Sequence, residues 1–197
     1  QIQQPMLARG DRTNFTKCMQ VSHVEVNGKV LGVVGAGTIG REVIKVAQAL
    51  GMKVLAYTRT PRADEDNLKY VSLEELLKQS DYISLHCPLT PQTRHMINKE
   101  TIAMMKPTAY IINTGRGALI DEPALIEALK EGRIAGAGLD VQETEPPVQN
   151  NPLYDMPNVI LTPHMGWKGL ETRQRLVSIL AANIQAFDEG RPQNVVS

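Results

Sequence analysis

The chain has 197 residues, with 21 Lys and Arg balanced by 21 Asp and Glu, and 42% of its side chains are hydrophobic. A net charge of zero removes the electrostatic footprint of a nucleic-acid or membrane-surface binder, and no apolar run approaches the roughly 20 residues of a membrane span. Two cysteines, Cys18 and Cys87, form neither a metal-ligand spacing nor a disulfide framework, so no metal site is expected and the setting reads as reduced and cytoplasmic.

Residues 1–28 are polar and irregular, with Met6, Leu7, Phe15, Cys18 and Met19 scattered without a period. Residues 21–26, V-S-H-V-E-V, alternate and predict a short strand ending in an Asn27-Gly28 turn, with His23 on the surface. The apolar run Val30–Val34 then enters three glycines, Gly35, Gly37 and Gly40, directly ahead of a helical pattern. That is the strand, tight turn and helix start of a dinucleotide-binding unit. Gly35 allows the sharp turn, Gly37 lets the backbone approach a pyrophosphate, and Gly40 lets the helix pack close to the strand. The N–H groups around Thr38 and Ile39 point at the anion, at the positive end of the helix dipole.

Ile39, Val43, Val46, Ala47 and Leu50 fall at helical spacing, and Gly51 ends that helix. Residues 53–57 predict the second strand. Residues 73–78 predict a short helix opened by Ser72, with Glu75 completing a capping box. A strand over 82–85 leads into the loop H-C-P-L-T-P-Q-T, a short helix over 99–105 stops before Pro107, and 109–113 is another strand. Asp121 caps a helix over 123–131 with Gly132 behind it. A small-residue strand over 134–140, a proline-rich loop over 142–158 and a short strand over 159–161 follow. Residues 170–187 form a long amphipathic helix with Leu176, Val177, Leu180, Ile184 and Phe187 on one face. The alternation implies an α/β fold, a doubly wound parallel sheet with helices on both faces and right-handed connections.

In such a sheet ligands bind beyond the carboxyl ends of the strands, so reactive residues just after a strand are the candidates. Arg116, in N-T-G-R-G, could grip a carboxylate with its planar fork or be a solvated turn arginine, and the two readings weigh equally. Asp140 could accept from a nicotinamide amide or simply cap a turn. Glu145, in E-T-E-P-P, is an ordinary loop acid until His164 is considered. His164, in L-T-P-H-M-G-W, follows a strand, and a His–Glu pair is a competent general acid because the carboxylate orients the imidazole and stabilises its charged form. His86 and Cys87 suit packing at the cofactor edge, Cys87 as a buried, inert thiol, and His95 reads as a solvated loop residue.

The stretches G-V-V-G-A-G-T-I-G, L-H-C-P-L-T-P-Q-T, I-I-N-T-G-R-G-A-L-I-D, G-L-D-V-Q-E-T-E-P and L-T-P-H-M-G-W resemble, in this order, the D-isomer-specific 2-hydroxyacid dehydrogenases. The resemblance implies a Rossmann-like NAD(P)-binding domain that takes part in hydride transfer between NAD(P)H and a small 2-keto acid, such as hydroxypyruvate or glyoxylate, in a homodimer. It implies Arg116 as the binder of the substrate carboxylate and carbonyl, His164 as the acid/base, Glu145 as its partner and Asp140 at the nicotinamide. The cofactor would meet Gly35, Gly37, Thr38, Ile39, Gly40, Thr58, Arg59, Arg62, His86, Cys87, Pro88, Thr93, Thr114, Gly115, Asp140, His164 and Gly166. The tryptophan three residues after His164, followed by E-T-R-Q-R-L, looks most like the glycerate dehydrogenases, or hydroxypyruvate reductases.

Members of the family have a substrate domain whose first part, about a hundred residues, precedes the nucleotide domain. By that likeness residues 1–20 lead out of the substrate domain, 21–170 form the dinucleotide domain, and 171–197 return toward the substrate domain. NAD-preferring members carry an acid at the end of the second strand, where this chain reads A-Y-T-R-T-P-R. Thr58 stands in place of the acid, with Arg59 and Arg62 close by, so NADPH is expected to be accepted and modestly preferred. Alternative readings are an NAD(H)-sensing corepressor-like interaction protein and a D-3-phosphoglycerate dehydrogenase. Formate dehydrogenases fit less well, since they carry Gln where Glu145 stands.

Overall fold

The computed structural model describes residues 8–13, 24–60 and 62–196. Its sheet grows outward from β1 (Val30–Val34), flanked by β2 (Lys53–Tyr57) on one side and β4 (Tyr82–Leu85) on the other. With β3 (Leu68–Tyr70), β5 (Tyr110–Asn113), β6 (Gly136–Leu139) and β7 (Val159–Leu161), the order is β3-β2-β1-β4-β5-β6-β7, and every pairing is parallel. The chain direction across the sheet reverses between β1 and β4, which opens a crevice beyond their carboxyl ends.

Successive strand residues point to opposite faces, and two buried clusters result. Leu31, Val33, Val54 and Ala56 pack with Ile44 and Ala47 of α1 (Thr38–Ala49). Val34, Leu55, Ile83, Leu85 and Ile111 pack with side chains of α2 (Leu73–Gln79), α3 (Lys99–Ala103) and α4 (Glu122–Lys130). The helix starts are set locally. Ser72 accepts from the Glu75 N–H at 3.1 Å, and Asp121 accepts from the Ala124 N–H at 3.2 Å, each satisfying a donor that the first helical turn leaves unpaired.

Four features differ from the sequence reading or add to it. Residues 24–26 are not a strand, although the Asn27-Gly28 turn forms; residues 21–23, with His23, lie outside the described residues. The buried side of α1 is Gly40, Ile44 and Ala47, while Ile39, Val46 and Leu50 are 69%, 61% and 54% exposed. The close approach of Gly40 to the strand fixes which stripe faces inward, and the bulkier apolar stripe is left on the other side. The edge strand β3 has only Leu68 buried, so its alternation is too short to register in the sequence. Finally, the helix α5 (Leu170–Asp188) has its apolar stripe, but no residue of it is buried. Nothing among the described residues covers Leu176, Val177, Leu180, Ile184 and Phe187.

Candidate active site at the carboxyl edge of the sheet

The three glycines of the first turn differ in what surrounds them. Gly35 adopts φ +98°, and a Cβ there would lie 2.7 Å from the Cys87 backbone nitrogen. A Cβ on Gly40 would lie 2.1 Å from the Gly35 carbonyl oxygen. A Cβ on Gly37 would meet nothing within 4 Å, so there the bare backbone faces open space rather than protein. Gly37 caps α1 without a side-chain hydrogen bond, and no acid stands in the first turn. The free N–H donors of Thr38 and its neighbours, at the positive end of a helix, fit the pyrophosphate of a dinucleotide. At the end of β2, Thr58 donates to the Thr60 carbonyl at 2.7 Å. Arg59 and Arg62 are exposed and hold no hydrogen bond or ion pair among the described residues.

Further along the same edge, His164 Nδ1 lies 2.7 Å from Glu145 Oε2. His164 has φ +49°, in the left-handed region, where non-glycine residues are uncommon although histidine is among those that enter it more often. Its N–H donates to the Asp140 carbonyl at 2.9 Å and to the Thr162 carbonyl at 3.0 Å. The Asp140 carboxylate, nearly buried, accepts from Thr162 Oγ1 at 2.5 Å, the Met165 N–H at 2.9 Å and the Gly166 N–H at 3.0 Å. Burial alone would raise the Asp140 carboxyl, but these donors and the nearby His164 outweigh it and hold the group below the ordinary carboxylate range. Asp140 therefore spends most of its acceptor capacity on the turn that carries His164. Glu145 is likewise held low: burial works against ionisation, and His164, the Gln142 N–H at 3.1 Å and the Arg116 charge prevail.

Arg116 is exposed, and its Nη1 donates to the Gly115 carbonyl at 2.8 Å. Its turn is shaped by Asn113, a buried residue that the sequence reading passed over. Asn113 Nδ2 donates to the Arg116 carbonyl at 2.9 Å, and Oδ1 accepts from the Gly115 N–H at 3.0 Å. A polar residue closing an otherwise apolar strand, Y-I-I-N, was the available signal. Thr114 stays exposed beside it.

On the β4 loop, His86 Nε2 lies 2.8 Å from Ser84 Oγ, and Cys87 Sγ lies 3.6 Å from Met96 Sδ. Burial pushes the His86 imidazole down and the Cys87 thiol up, so at neutral pH both are uncharged. Thr93 closes this loop by donating to the Pro88 carbonyl at 2.7 Å. His95 is not a simple solvated residue: its Nε2 lies 2.6 Å from Glu143 Oε1, which also accepts from Arg94 at 3.0 Å. Beside the His164–Glu145 pair lies a cleft of about 410 Å³, lined by Gln142, Pro146, Tyr154, Thr162 and the pair itself.

A parallel sheet reversing direction beside an uncapped, glycine-lined helix N-terminus defines a dinucleotide-binding domain. The description "D-isomer specific 2-hydroxyacid dehydrogenase, NAD binding domain" matches residues 5–166, and the chain belongs to that family. It is 49% identical over 176 residues to a hydroxypyruvate reductase of Blautia hydrogenotrophica, covering 88% of this chain and 55% of that protein. It is 49% identical over 174 residues to a glycerate dehydrogenase of Methylorubrum extorquens, covering 87% of this chain and 54% of that one. The D-lactate dehydrogenase of Lactobacillus jensenii, solved with NAD+, superposes with a TM-score of 0.85 at 35% identity, over 98% of this chain and 63% of that one. An acyclic imino acid reductase solved with NADPH and D-Arg gives 0.81 at 35% identity, over 97% and 62%. The chain thus spans about half the length of the curated relatives it matches. Among the described residues no helix is long and apolar enough to cross a membrane, and no group of three or more His, Cys, Asp and Glu could hold a metal.

Proposed function

We propose that the protein containing this chain is an NAD(P)-dependent D-2-hydroxyacid dehydrogenase that reduces a small 2-keto acid such as hydroxypyruvate or glyoxylate. The observation that carries this reading is the 2.7 Å contact between His164 Nδ1 and Glu145 Oε2, on the same sheet edge as the glycine turn. With Nδ1 held by a carboxylate, Nε2 of the imidazolium is left to face the substrate. A nicotinamide, when bound at this edge, would supply the hydride that the carbonyl carbon takes up. His164 gives its Nε2 proton to the carbonyl oxygen, so that C=O becomes CH–OH and the imidazole is left neutral. Glu145 stabilises the charged form before transfer and fixes the ring's orientation. The Arg116 guanidinium takes the substrate carboxylate and polarises the carbonyl.

In this reading Gly35, Gly37, Thr38, Ile39 and Gly40 hold the pyrophosphate, while Thr58, Arg59 and Arg62 flank the adenine ribose. His86, Cys87, Pro88, Thr93, Thr114, Gly115, Asp140 and Gly166 line the rest of the cofactor. The exposed stripe of α5 supports its assignment as the segment that packs on the remainder of the protein, the substrate domain. A cytoplasmic homodimer belongs to the same reading, supported by the free thiol of Cys87 and by the apolar Val46 and Leu50 exposed on α1.

The test is NAD(P)H oxidation by the full-length protein with hydroxypyruvate or glyoxylate. His164→Ala should lower kcat by about a hundredfold or more, the worth of a positioned proton donor. Wild-type turnover in that variant would defeat the reading.

A further inference from the structure

Residues 144–150 are all exposed, yet Glu145 must stay within hydrogen-bond reach of one imidazole nitrogen. The segment is pinned from the chain beyond it. Asn151 is 4% exposed and opens the short 3-10 turn Pro152–Asp155, whose Leu153 is anchored in the core. Asn151 Oδ1 accepts from the Leu153 N–H at 3.0 Å. Its Nδ2 donates to Glu122 Oε1 at 2.8 Å and to Gln142 Oε1 at 3.0 Å, so both amide hydrogens and the carbonyl are in use. Glu122 in turn accepts from the Glu143 N–H at 3.1 Å, and Gln142 donates its N–H to Glu145 Oε1 at 3.1 Å. The bonds to Gln142, Glu143 and Glu145 grip residues 142–145, and the bond between Asn151 and Glu122 links them. From the other side the backbone of Gly117 presses on the same segment; a Cβ there would lie 1.9 Å from the Gln142 carbonyl oxygen.

We propose that Asn151 is a positioning residue for the reaction: it clamps Gln142 directly, and Glu143 through Glu122, so that the Glu145 carboxylate meets His164 in one geometry. The inference rests on His164 being the proton donor, as proposed above. Asparagine suits the position because it offers two hydrogens to two acceptors. An aspartate would set a carboxylate against Glu122 and donate nothing. The charged groups facing the pair are Arg116 beside Glu145 and Asp140 beside His164; Arg94, His95, Glu122 and Glu143 lie along the clamp. Glu122 loses a donor when Asn151 is substituted, but Arg116 and Asp140, the charges that face the pair, share no hydrogen bond with Asn151, so a change in the pH dependence of proton transfer reports the Glu145–His164 contact.

The experiment compares kcat for hydroxypyruvate reduction across pH in the full-length protein, for wild type, Glu145→Gln, Asn151→Ala and the double variant. Asn151→Ala is expected to lose about tenfold in kcat, with the alkaline limb of the profile moved in the same direction as Glu145→Gln moves it. The double variant should place its limb where Glu145→Gln alone does, because both changes remove one interaction. A limb unmoved in Asn151→Ala, or effects that add in full, overturns the proposal. Should Asn151→Ala not fold, Gln142→Met removes one acceptor from the same clamp, and an unmoved limb there overturns it equally. Wild-type turnover in His164→Ala sinks the functional reading and this proposal with it. An inactive His164→Ala beside an unmoved Asn151→Ala limb sinks only the role of Asn151.

Discussion

The glycine turn and the His164 edge both lie beyond the carboxyl ends of strands, but different forces hold them. The turn is fixed by backbone sterics over residues 35–40, with Gly35 and Gly40 in direct contact and no side-chain cap. The His164 edge is assembled from distant segments by side-chain hydrogen bonds: Asp140 to the 162–166 turn, Glu145 to His164, Asn151 to Glu122 and Gln142. The first should respond to a single methyl group and ignore pH. The second should respond to charge and protonation.

The sharpest way to break this contrast is a methyl on the turn. Gly40→Ala drives a Cβ into the Gly35 carbonyl and should cost about 2–3 kcal/mol in thermal or denaturant unfolding. Gly37→Ala, whose Cβ meets no protein atom, should leave the melting curve in place and weaken NAD(P)H binding in a fluorescence titration. Equal stability losses in the two variants would contradict the steric account.

At the other edge, Asp140→Asn replaces an acceptor shared by three donors, and should cost about 1.5–3 kcal/mol at neutral pH. The folded carboxyl is held below its unfolded value of about 3.9, so its contribution is complete above that pH and fades as pH falls through the lower folded value. Wild type and variant should therefore converge in stability on acidification. A constant gap down to pH 2 would mean that the loss is steric rather than ionic.

Arg116→Lys keeps the charge and loses the planar fork. KM for the 2-keto acid should rise by about tenfold or more, with KM for the nucleotide unchanged. Unaltered kinetics would return Arg116 to the status of a turn residue. The smallest effect concerns the ribose end of the site. With Thr58 neutral and two unpaired arginines nearby, the full-length protein should prefer NADPH over NADH by about tenfold or less, since exposed charges are screened. Thr58→Asp should reverse that preference in kcat/KM. A clear NADH preference in wild type, indifferent to the substitution, would remove the arginines from the site.

The same contrast explains what the sequence made legible. The glycine turn, the strand centres and the caps at Ser72 and Asp121 depend on neighbours a few residues away, so their patterns lie side by side in the chain. The buried face of α1 is not legible from apolar spacing, because the contact of Gly40 with Gly35 decides the orientation and leaves Val46 and Leu50 outside. Asn151, Glu122 and Glu143 left no local signal. Their bonds join residues 21 and 29 positions apart, and a polar residue in a proline-rich loop looks solvated until the segment it grips is seen. His95 was misread for the same reason, its partner Glu143 standing 48 residues away.

The contact of Gly117 with the Gln142–Glu143 peptide has a mechanical consequence. With no side chain between them, the loop bearing Arg116 and the loop bearing Glu145 meet backbone to backbone, a contact that any side chain at position 117 would break. A displacement of either loop's backbone at this point is therefore expected to be passed to the other.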